Sequence, residues 1–491
     1  MPPRKFSSPG RAQEPVEGVL YRWLSEAAER GTDRAIVYRD TYLSWHGLVH
    51  RVDRRAAELA AMEIRAGDWV GLMLGNVPDL VILSLAASKL GAVVVPLDPT
   101  LGSRDLDVIF THAPLRALVT RPRGGESAPA SAPPARAERV ADDHFPEARR
   151  RLQGTLLGCA IYPRRAPAPI SQLEAVLFTS GRAGESKGVA RTAEILEATV
   201  EGARHAFGVD AQQGVLAAVP LFQGYGFDLG LALALGCGGT LVLEDEFNAK
   251  RMAKAFREHR VALCPGTPSM YDALLQIPNA RPLQTPGARF LCGGSALDPA
   301  LAERFHHRWG VRLISCYHTT EAGLVSIDLR GLNPDSVGKP MPGVRLRAGD
   351  GRRDEGPLWV SSPTVAPVVA GPSRGRADPI GGVDLSWLRT GDLGRIDRNG
   401  RVTLTGREDD LVRVDGRRVA LGEVEACIES FPKVAAARAE LENDRFCGAV
   451  VVADVVSSCD CAPEEIIDHC ARNLASHKVP RRVRFVKQLS A

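Results

Sequence analysis

Short apolar runs alternate with helix-length segments from about Leu20 to Val119. Residues 35–38, 69–73 and 92–96 form runs rich in valine, isoleucine and leucine. Runs that are apolar on both faces and separated by helices are typical of a parallel sheet covered on both sides. A second region of the same kind, with buried-strand candidates at 214–220 and 311–315, extends from Leu173 to about Val344. The pattern therefore predicts an α/β fold with two layered αβ subdomains.

Two other segments differ from these regions in amino-acid composition and pattern. Residues 121–169 are rich in alanine, proline, arginine and serine, which predicts an irregular excursion. Residues 356–405 carry short strands, and Asn399-Gly400 is a strong hairpin signal, so this part is predicted to be β-rich. A compact α+β tail follows Arg407. We expect a large N-terminal domain over 1–408 and a small, mobile α+β C-terminal domain over 409–491.

Composition excludes several classes of protein. The chain has 491 residues, 44% hydrophobic and 24% charged, as in a globular protein of more than one domain. A formal charge of +4 is too mild to indicate nucleic-acid binding. No apolar run reaches the roughly 20 residues of a membrane span, and the N-terminus lacks a secretory signal. The ten cysteines have no metal-site spacing. A cytoplasmic protein with reduced thiols is expected.

A glycine-rich loop at 178–189 is the strongest chemical signal in the chain. It follows an apolar run and contains three glycines, small hydroxyl side chains and Lys187. Glycines let backbone N–H groups turn inward around an anion, and a lysine adds a point charge for a polyphosphate. The spacing is not that of a Walker loop, since Lys187 is followed by Gly188. On its own, such a loop is either a phosphate site or a plain surface turn.

Four further segments carry polar side chains in a fixed order. They are residues 289–295, which run from a strand into Gly293-Gly294-Ser295; residues 315–321, which contain Tyr317, His318, Thr320 and Glu321; Thr390-Gly391-Asp392; and residues 406–413. Taken singly, a Gly-Asp turn is usually only a turn, and Thr320-Glu321 could begin a helix.

With the glycine loop, this ordered set resembles the adenylate-forming superfamily of acyl- and aryl-CoA ligases, luciferases and peptide-synthetase adenylation domains. The resemblance covers nearly the whole chain and includes residues 89–99, 220–226 and 337–343. It implies an Mg²⁺-ATP-dependent reaction in which a small carboxylic acid attacks the α-phosphate and pyrophosphate leaves. The pantetheine thiol of CoA or of a carrier protein (phosphopantetheine) then displaces AMP from the acyl adenylate.

The resemblance also implies roles for individual residues. The ATP phosphates would be held by Thr179, Ser180, Gly181, Gly184 and Lys187; adenine would be framed by Gly293, Gly294, Ser295 and Tyr317; Thr320 would contact the α-phosphate and Glu321 would ligate Mg²⁺; Asp392 and Arg407 would hold the ribose. Lys187, Thr320 and Glu321 are the implied catalytic residues. His318 either contacts the nucleotide or only packs.

The same resemblance covers the acid and the thiol. Phe222, Gln223 and Tyr225 would line the acyl pocket, although such an aromatic cluster could also be ordinary core. Asp409 matches the hinge about which the small domain swings, and Gly416 would let the pantetheine arm pass. Amino-acid-activating domains hold the α-amino group with an aspartate, and Phe227-Asp228 fits superficially. The register of residues 220–240 instead favours an acid without an α-amino group. Fatty and aromatic acids remain open, as does CoA against a carrier protein.

The chain departs from the family pattern at two places. Arg182-Ala183 and Ser186 replace the usual hydroxyls and proline of the phosphate loop. The usual terminal Gly-Lys is missing, which would slow adenylation by roughly a hundredfold unless Lys478 or Lys487 substitutes. An alternative follows: a degenerate relative that binds nucleotide or acyl adenylate with little adenylation.

Overall fold

The structure is a computed structural model. It describes residues 17–30, 34–121, 149–151, 157–164, 172–179, 186–245, 247–278, 283, 287–349, 355–371, 387–407, 412–414, 417–419, 421–444, 448–457 and 460–486.

The largest sheet has nine strands among the described residues. Numbered along the chain, they are β1 Ile36–Tyr38, β2 Thr41–Leu43, β10 Gly214–Ala217, β11 Thr240–Leu243, β12 Val261–Gly266, β13 Arg289–Cys292, β14 Leu313–Thr319, β15 Gly323–Ile327 and β16 Lys339–Pro340. Their order is β16-β15-β14-β13-β12-β10-β11-β1-β2. The interior pairs from β14 to β1 are parallel, as predicted for strands buried on both faces.

A second sheet has eight strands in the described part of the chain. They are β3 Trp69–Met73, β4 Val93–Pro96, β5 Leu115–Thr120, β6 Arg149–Arg151, β7 Gly158–Ile161, β8 Leu173–Thr179, β9 Lys187–Thr192 and β19 Val368–Ala370, in the order β19-β9-β8-β4-β3-β5-β7-β6. The first α/β region thus divides between two sheets, because β1 pairs with β11 rather than with β3. The segment 121–169 adds β6 and β7 to the sheet edge, which its composition did not predict, and residues 122–148 lie outside the described residues.

Helices cover the faces of both sheets. They are α1 Val19–Arg30, α2 Trp45–Ala61, α3 Pro78–Lys89, α4 Ser103–His112, α5 Ala193–Phe207, α6 (Gly224–Gly226, Phe227–Ala232 and Leu233–Cys237), α7 Ala249–Glu258, α8 Pro268–Leu275, α9 Pro299–Trp309, α10 Leu421–Glu429 and α11 Pro463–Asn473. One apolar core joins α1, α2, α3, α5 and α6 to strands of both sheets, so these helices lie between the sheets. Helix α3 is buried on nearly all sides and is apolar all round.

The remaining strands form smaller sheets. They are β17 Arg345–Ala348, β18 Glu355–Ser361, β20 Leu388–Ile396 and β21 Val402–Arg407; β22 Val412–Val414 and β23 Arg417–Val419; and β24 Val434–Asp444, β25 Gly448–Ser457 and β26 Arg482–Phe485. The predicted hairpin at Asn399-Gly400 is confirmed, since β20 and β21 are antiparallel and Gly400 has a φ of 75°. Residues from Val414 onward have an apolar core of their own, which we call the small domain.

Contacts between charged groups dock the small domain against the large one. The Lys478 ammonium lies 3.0 Å from Asp105 of α4 and 2.9 Å from Glu423 of α10. Only 6% of the Lys478 side chain is exposed. A Cβ on Gly102 would meet the backbone of Asn473 at 2.6 Å, so glycine is needed for this approach. The docked arrangement therefore depends on a buried cation and on close backbone contact.

Replacement of Lys478 should weaken the small domain. Lys478→Met leaves two buried carboxylates without their cation, and breaking a buried pair costs about 3–5 kcal/mol. We expect faster hydrogen exchange in α10 and α11, measured by mass spectrometry. Lys433→Met is the matched control, because its 2.7 Å pair with Glu465 is solvent-exposed. Equal protection in Lys478→Met and the control would contradict the docking role.

Candidate active site

A cavity lies between the two domains. Its open volume is about 160 Å³. The large domain lines it with Pro96, Leu97, Asp98, Leu101, Asp105, Ile109, Phe178, Thr179, Ser186, Val219, Phe222, Gln223, Gly224, Tyr225, Thr267, Gly294, His318, Thr319 and Thr320, and the small domain with Arg417, Ala475, His477 and Lys478.

Two residues predicted for nucleotide binding meet between the end of β14 and the middle of β20. The buried Tyr317 hydroxyl donates a hydrogen bond of 2.6 Å to Asp392 Oδ2. The backbone N–H of Asp392 donates to Thr390 Oγ1 at 3.1 Å. Arg407, in β21, pairs directly opposite Asp392 through the backbone. The structure thus places the residues implied for adenine and for ribose side by side.

The turn that carries Thr320 and Glu321 is held from several sides. Thr319 Oγ1 accepts a hydrogen bond from the N–H of Ala322 at 3.0 Å, and the Glu321 carbonyl accepts one from Ala366 at 2.8 Å. Arg191 donates to the Thr320 carbonyl at 2.8 Å. The Glu321 carboxylate makes no hydrogen bond or ion pair with any described residue. The turn is fixed while the carboxylate stays available to a ligand.

A buried ion pair lies directly behind this turn. Arg191 Nε and Nη2 each donate to a different oxygen of Asp228 at 2.8 Å. His318 Nε2 lies 3.0 Å from Asp228 Oδ2. Asp228 belongs to the π-helical segment of α6, where the extra residue per turn alters the direction of its side chain. Burial would raise the pKa of Asp228, but Arg191 and His318 outweigh it and lower the pKa to about 2.

Tyr225 lines the cavity beside Gly293, the residue that follows β13. Its hydroxyl lies 3.5 Å from Cys316 Sγ, and a Cβ on Gly293 would be 3.1 Å from the Tyr225 ring. Burial raises the pKa of Tyr225 well above 10 and that of Cys316 to about 12, so both remain neutral. Phe222, at the other predicted pocket position, lies under the Arg417 guanidinium at 5.3 Å. The three predicted pocket residues, including Gln223, all line the cavity.

Cations from the small domain are already paired with large-domain or neighbouring carboxylates. Arg417 Nη1 lies 2.7 Å from Asp98 Oδ2. Lys478, a predicted substitute for the family's terminal lysine, donates hydrogen bonds to the carboxylates of Asp105 and Glu423 in this arrangement. Burial would lower the pKa of Lys478, but the two carboxylates outweigh it and raise the pKa. Lys487, the other predicted substitute, lies outside the described residues.

The remaining predicted residues divide into two groups. Thr179 lines the cavity, Lys187 begins the neighbouring strand β9, and the Lys187 ammonium has no partner among the described residues. Ser295 is exposed beyond Gly294. Outside the described residues lie Ser180, Gly181, Gly184, Asp409 and Gly416. Their implied roles stay predictions.

Sequence reasoning missed Arg191. The signal was present, because Arg191 interrupts the apolar run of β9 and a buried arginine requires an acidic partner. The partner, Asp228, lies 37 residues further along the chain. Nothing in the local pattern joins the two.

No described helix could span a membrane, and the described residues hold no group of three or more His, Cys, Asp or Glu side chains that could bind a metal ion.

Comparison with family models gives two matches. The model of the AMP-binding enzyme family covers residues 24–368, and that of the AMP-binding enzyme C-terminal domain covers residues 423–491. The fold and the ordered site define an adenylate-forming enzyme. The chain belongs to the AMP-binding enzyme family.

Curated relatives match over almost their full length. A 2-succinylbenzoate–CoA ligase of Bacillus licheniformis is 26% identical, covering 95% of this chain and 96% of the relative. A feruloyl-CoA synthase of an Amycolatopsis species is 27% identical, covering 93% of this chain and 92% of the relative. A long-chain-fatty-acid–CoA ligase of Mycobacterium tuberculosis is 25% identical, covering 92% of this chain and 90% of the relative.

Solved structures share the whole fold. The amide bond synthetase McbA of Marinactinospora thermotolerans has a TM-score of 0.80 at 25% identity, covering 96% of both chains. A double mutant of the Bacillus subtilis o-succinylbenzoate CoA synthetase with its product analogue OSB-NCoA has a TM-score of 0.78 at 24% sequence identity, covering 95% of both chains. The same synthetase in complex with AMP has a TM-score of 0.66 at 23% identity, again covering 95% of both chains. The predicted α/β architecture is confirmed.

These findings define an ATP-dependent acid–thiol ligase of the acyl-CoA synthetase type. They do not favour the alternative of a degenerate relative.

The low pKa of Asp228 makes the stability of the protein depend on pH. Its pKa falls from 3.8 to about 2 on folding. The ionised carboxylate therefore contributes stability that is fully present above pH 3.8 and is lost as the pH falls towards about 2. We expect the stability gap between the native protein and Asp228→Asn to be constant at neutral pH and to narrow below about pH 4. Urea unfolding followed by tryptophan fluorescence measures it. A gap that does not change with pH would contradict this assignment.

Proposed function

We propose that this protein joins an aromatic or cyclic carboxylic acid to CoA through an acyl adenylate. The observation that carries the proposal is the cavity shared by the two domains. Part of the set implied for nucleotide and acid lies on its large-domain side, and Arg417, His477 and Lys478 line it from the small domain. The large-domain members are Thr179, Gly294, His318, Thr320, Phe222, Gln223 and Tyr225. Such a cavity can hold an acyl adenylate and admit a thiol between the domains.

The nucleotide half of the proposal is supported by three features. Tyr317 offers a buried ring whose hydroxyl donates to Asp392, and the Asp392 carboxylate can accept ribose hydroxyl groups. Thr179 and Ser186 lie at the cavity wall, and Lys187 has an ammonium that is not paired with a described residue. Glu321 supplies one carboxylate for Mg²⁺. One carboxylate suffices when ATP phosphates complete the ligand set, as is usual for this ion.

The thiol half is supported by the position of the small domain. The TM-score is higher against the synthetase complex with a CoA-product analogue, 0.78, than against its AMP complex, 0.66. We infer that the docked arrangement is the one used for thiol transfer and that Asp409 is the hinge for the other arrangement. CoA is preferred to a carrier protein because the three curated relatives compared above are named as CoA ligases or synthetases. ATP and CoA would be met in the cytoplasm.

The cavity lining and the relatives favour an aromatic or cyclic acid over a long fatty chain. Tyr225 lines the cavity and packs against Gly293 and Cys316, so an aromatic surface lies beside the ligand space. Two curated relatives are named for aromatic acids, 2-succinylbenzoate and ferulate, and one for long-chain fatty acids. An α-amino acid is disfavoured, because Asp228 is fully buried and already neutralised by Arg191.

The proposal predicts acid-dependent pyrophosphate release and a matching yield of acyl-CoA. The purified protein is incubated with Mg²⁺-ATP, CoA and panels of aromatic, fatty and amino acids, and both products are measured. We expect release with aromatic acids well above that with long-chain fatty acids. Acyl amide in place of thioester when an amine is added beside CoA would make an amine the natural acceptor. No release with any acid from folded protein would contradict the proposal.

The proposed metal ligand gives a second prediction. Glu321→Gln keeps the size of the side chain but removes the charge offered to Mg²⁺. We expect pyrophosphate release to fall on the order of a hundredfold. Raised Mg²⁺ should restore part of the rate, as a steady-state titration would show.

The matched control is Glu303→Gln, on the exposed face of α9. It should leave both the rate and the Mg²⁺ dependence unchanged. Equal rates in the two variants would contradict the role of Glu321.

A further inference from the structure

His318 lines the cavity, and only one of its two ring nitrogens is hydrogen-bonded to a described residue. Its side chain is 4% exposed, and its ring centroid lies 5.5 Å from that of Tyr225. Nε2 is engaged with Asp228 Oδ2 at 3.0 Å.

The contact with Asp228 decides which ring nitrogen carries a hydrogen. Asp228 forms a two-point ion pair with Arg191, so both of its oxygens act as acceptors. Nε2 of His318 therefore donates to Asp228, and in that tautomer Nδ1 is an acceptor.

Nδ1 is open to the cavity. It forms no hydrogen bond with a residue in the described part of the chain. It is also not among the polar atoms that are sealed from solvent without a partner. Because His318 lines the cavity, a ligand can reach this nitrogen. An acceptor held beside the aromatic side chains of Tyr225 and Phe222 in the cavity lining can recognise one polar group on an aromatic or cyclic ligand.

We propose that His318 is a specificity-determining residue that accepts a hydrogen bond from a hydroxyl group on the acyl part of the substrate. The inference rests on the proposed function and narrows its substrate to hydroxylated aromatic or cyclic acids. Arg191 and Asp228 are positioning residues, since they fix the ring and its tautomer without touching the ligand. An acid without the hydroxyl leaves Nδ1 unpaired when the acid displaces water, and therefore binds less well.

The test compares matched acids on the same enzyme. Benzoate is set against its 2-, 3- and 4-hydroxy derivatives, and cinnamate against 4-hydroxycinnamate, with kcat/KM measured as pyrophosphate release at saturating Mg²⁺-ATP. We expect at least one hydroxylated acid to exceed its parent by about tenfold. His318→Phe, which keeps a ring of similar size, should remove that preference, so that the hydroxylated acid and its parent acid give kcat/KM values within about twofold of each other on the variant.

His318→Gln provides the second variant, because its amide can still donate to Asp228 and accept from the substrate. It should keep part of the preference, which a merely structural role would not predict. Release with all acids but no hydroxyl preference, or a preference that persists in His318→Phe, overturns this inference and leaves the proposed function standing. If His318→Phe does not fold, absence of the preference in the native enzyme or its loss in His318→Gln overturns the inference. Release with no acid at all overturns the proposed function, and the inference with it.

Discussion

The buried ion pair between Arg191 and Asp228 is the interaction on which the site depends. It joins β9, which begins at Lys187 of the glycine loop, to α6, which contains Tyr225 of the predicted acyl pocket. Through the Thr320 carbonyl it also holds the turn that carries Glu321. Three segments that are distant in sequence are fixed relative to one another by a single guanidinium. A pair of this kind carries a large desolvation cost, so its value lies in the geometry that it imposes.

The small domain completes the cavity by a different kind of contact. Lys478 and Arg417 reach carboxylates on α4 and on the segment just before it, where both partners are largely withdrawn from water. These ion pairs exist only in the docked arrangement, so they bias the position of the domain without forming part of the apolar core. Polar contacts suit the hinged movement proposed for this domain, since each separated group can be solvated.

Much of the fold could be predicted from the sequence because local pattern determines it. The strand at Trp69–Met73 and the hairpin at Asn399-Gly400 follow from apolar runs and turn chemistry. The assignment of β1 to the nine-stranded sheet could not be predicted, since periodicity does not specify a partner across some 200 residues of chain. The strands β6 and β7 were hidden by a composition that indicates irregular structure.

The site was predictable in its ordered motifs but not in its electrostatics. Tyr317 and Asp392 could be placed in one site by resemblance, and their hydrogen bond agrees with that prediction. Arg191 carries no motif, and its role appears only when the fold brings it to Asp228. His318 was predicted either to contact the nucleotide or only to pack, and its contact with the nucleotide stays a prediction. The structure shows contact with Asp228 and with Tyr225 together, which no spacing along the chain could indicate.

The most direct test of the account is a crystal structure of the protein with a non-hydrolysable acyl sulfamoyl adenosine built on an aromatic acid. The account predicts that the ribose contacts Asp392 and that the adenine lies beside Tyr317 and Gly293-Gly294. It also predicts that the sulfamate lies near Thr320 and the acyl ring between Tyr225 and His318. A nucleotide bound elsewhere, or an acyl group directed away from Tyr225 and His318, would contradict it.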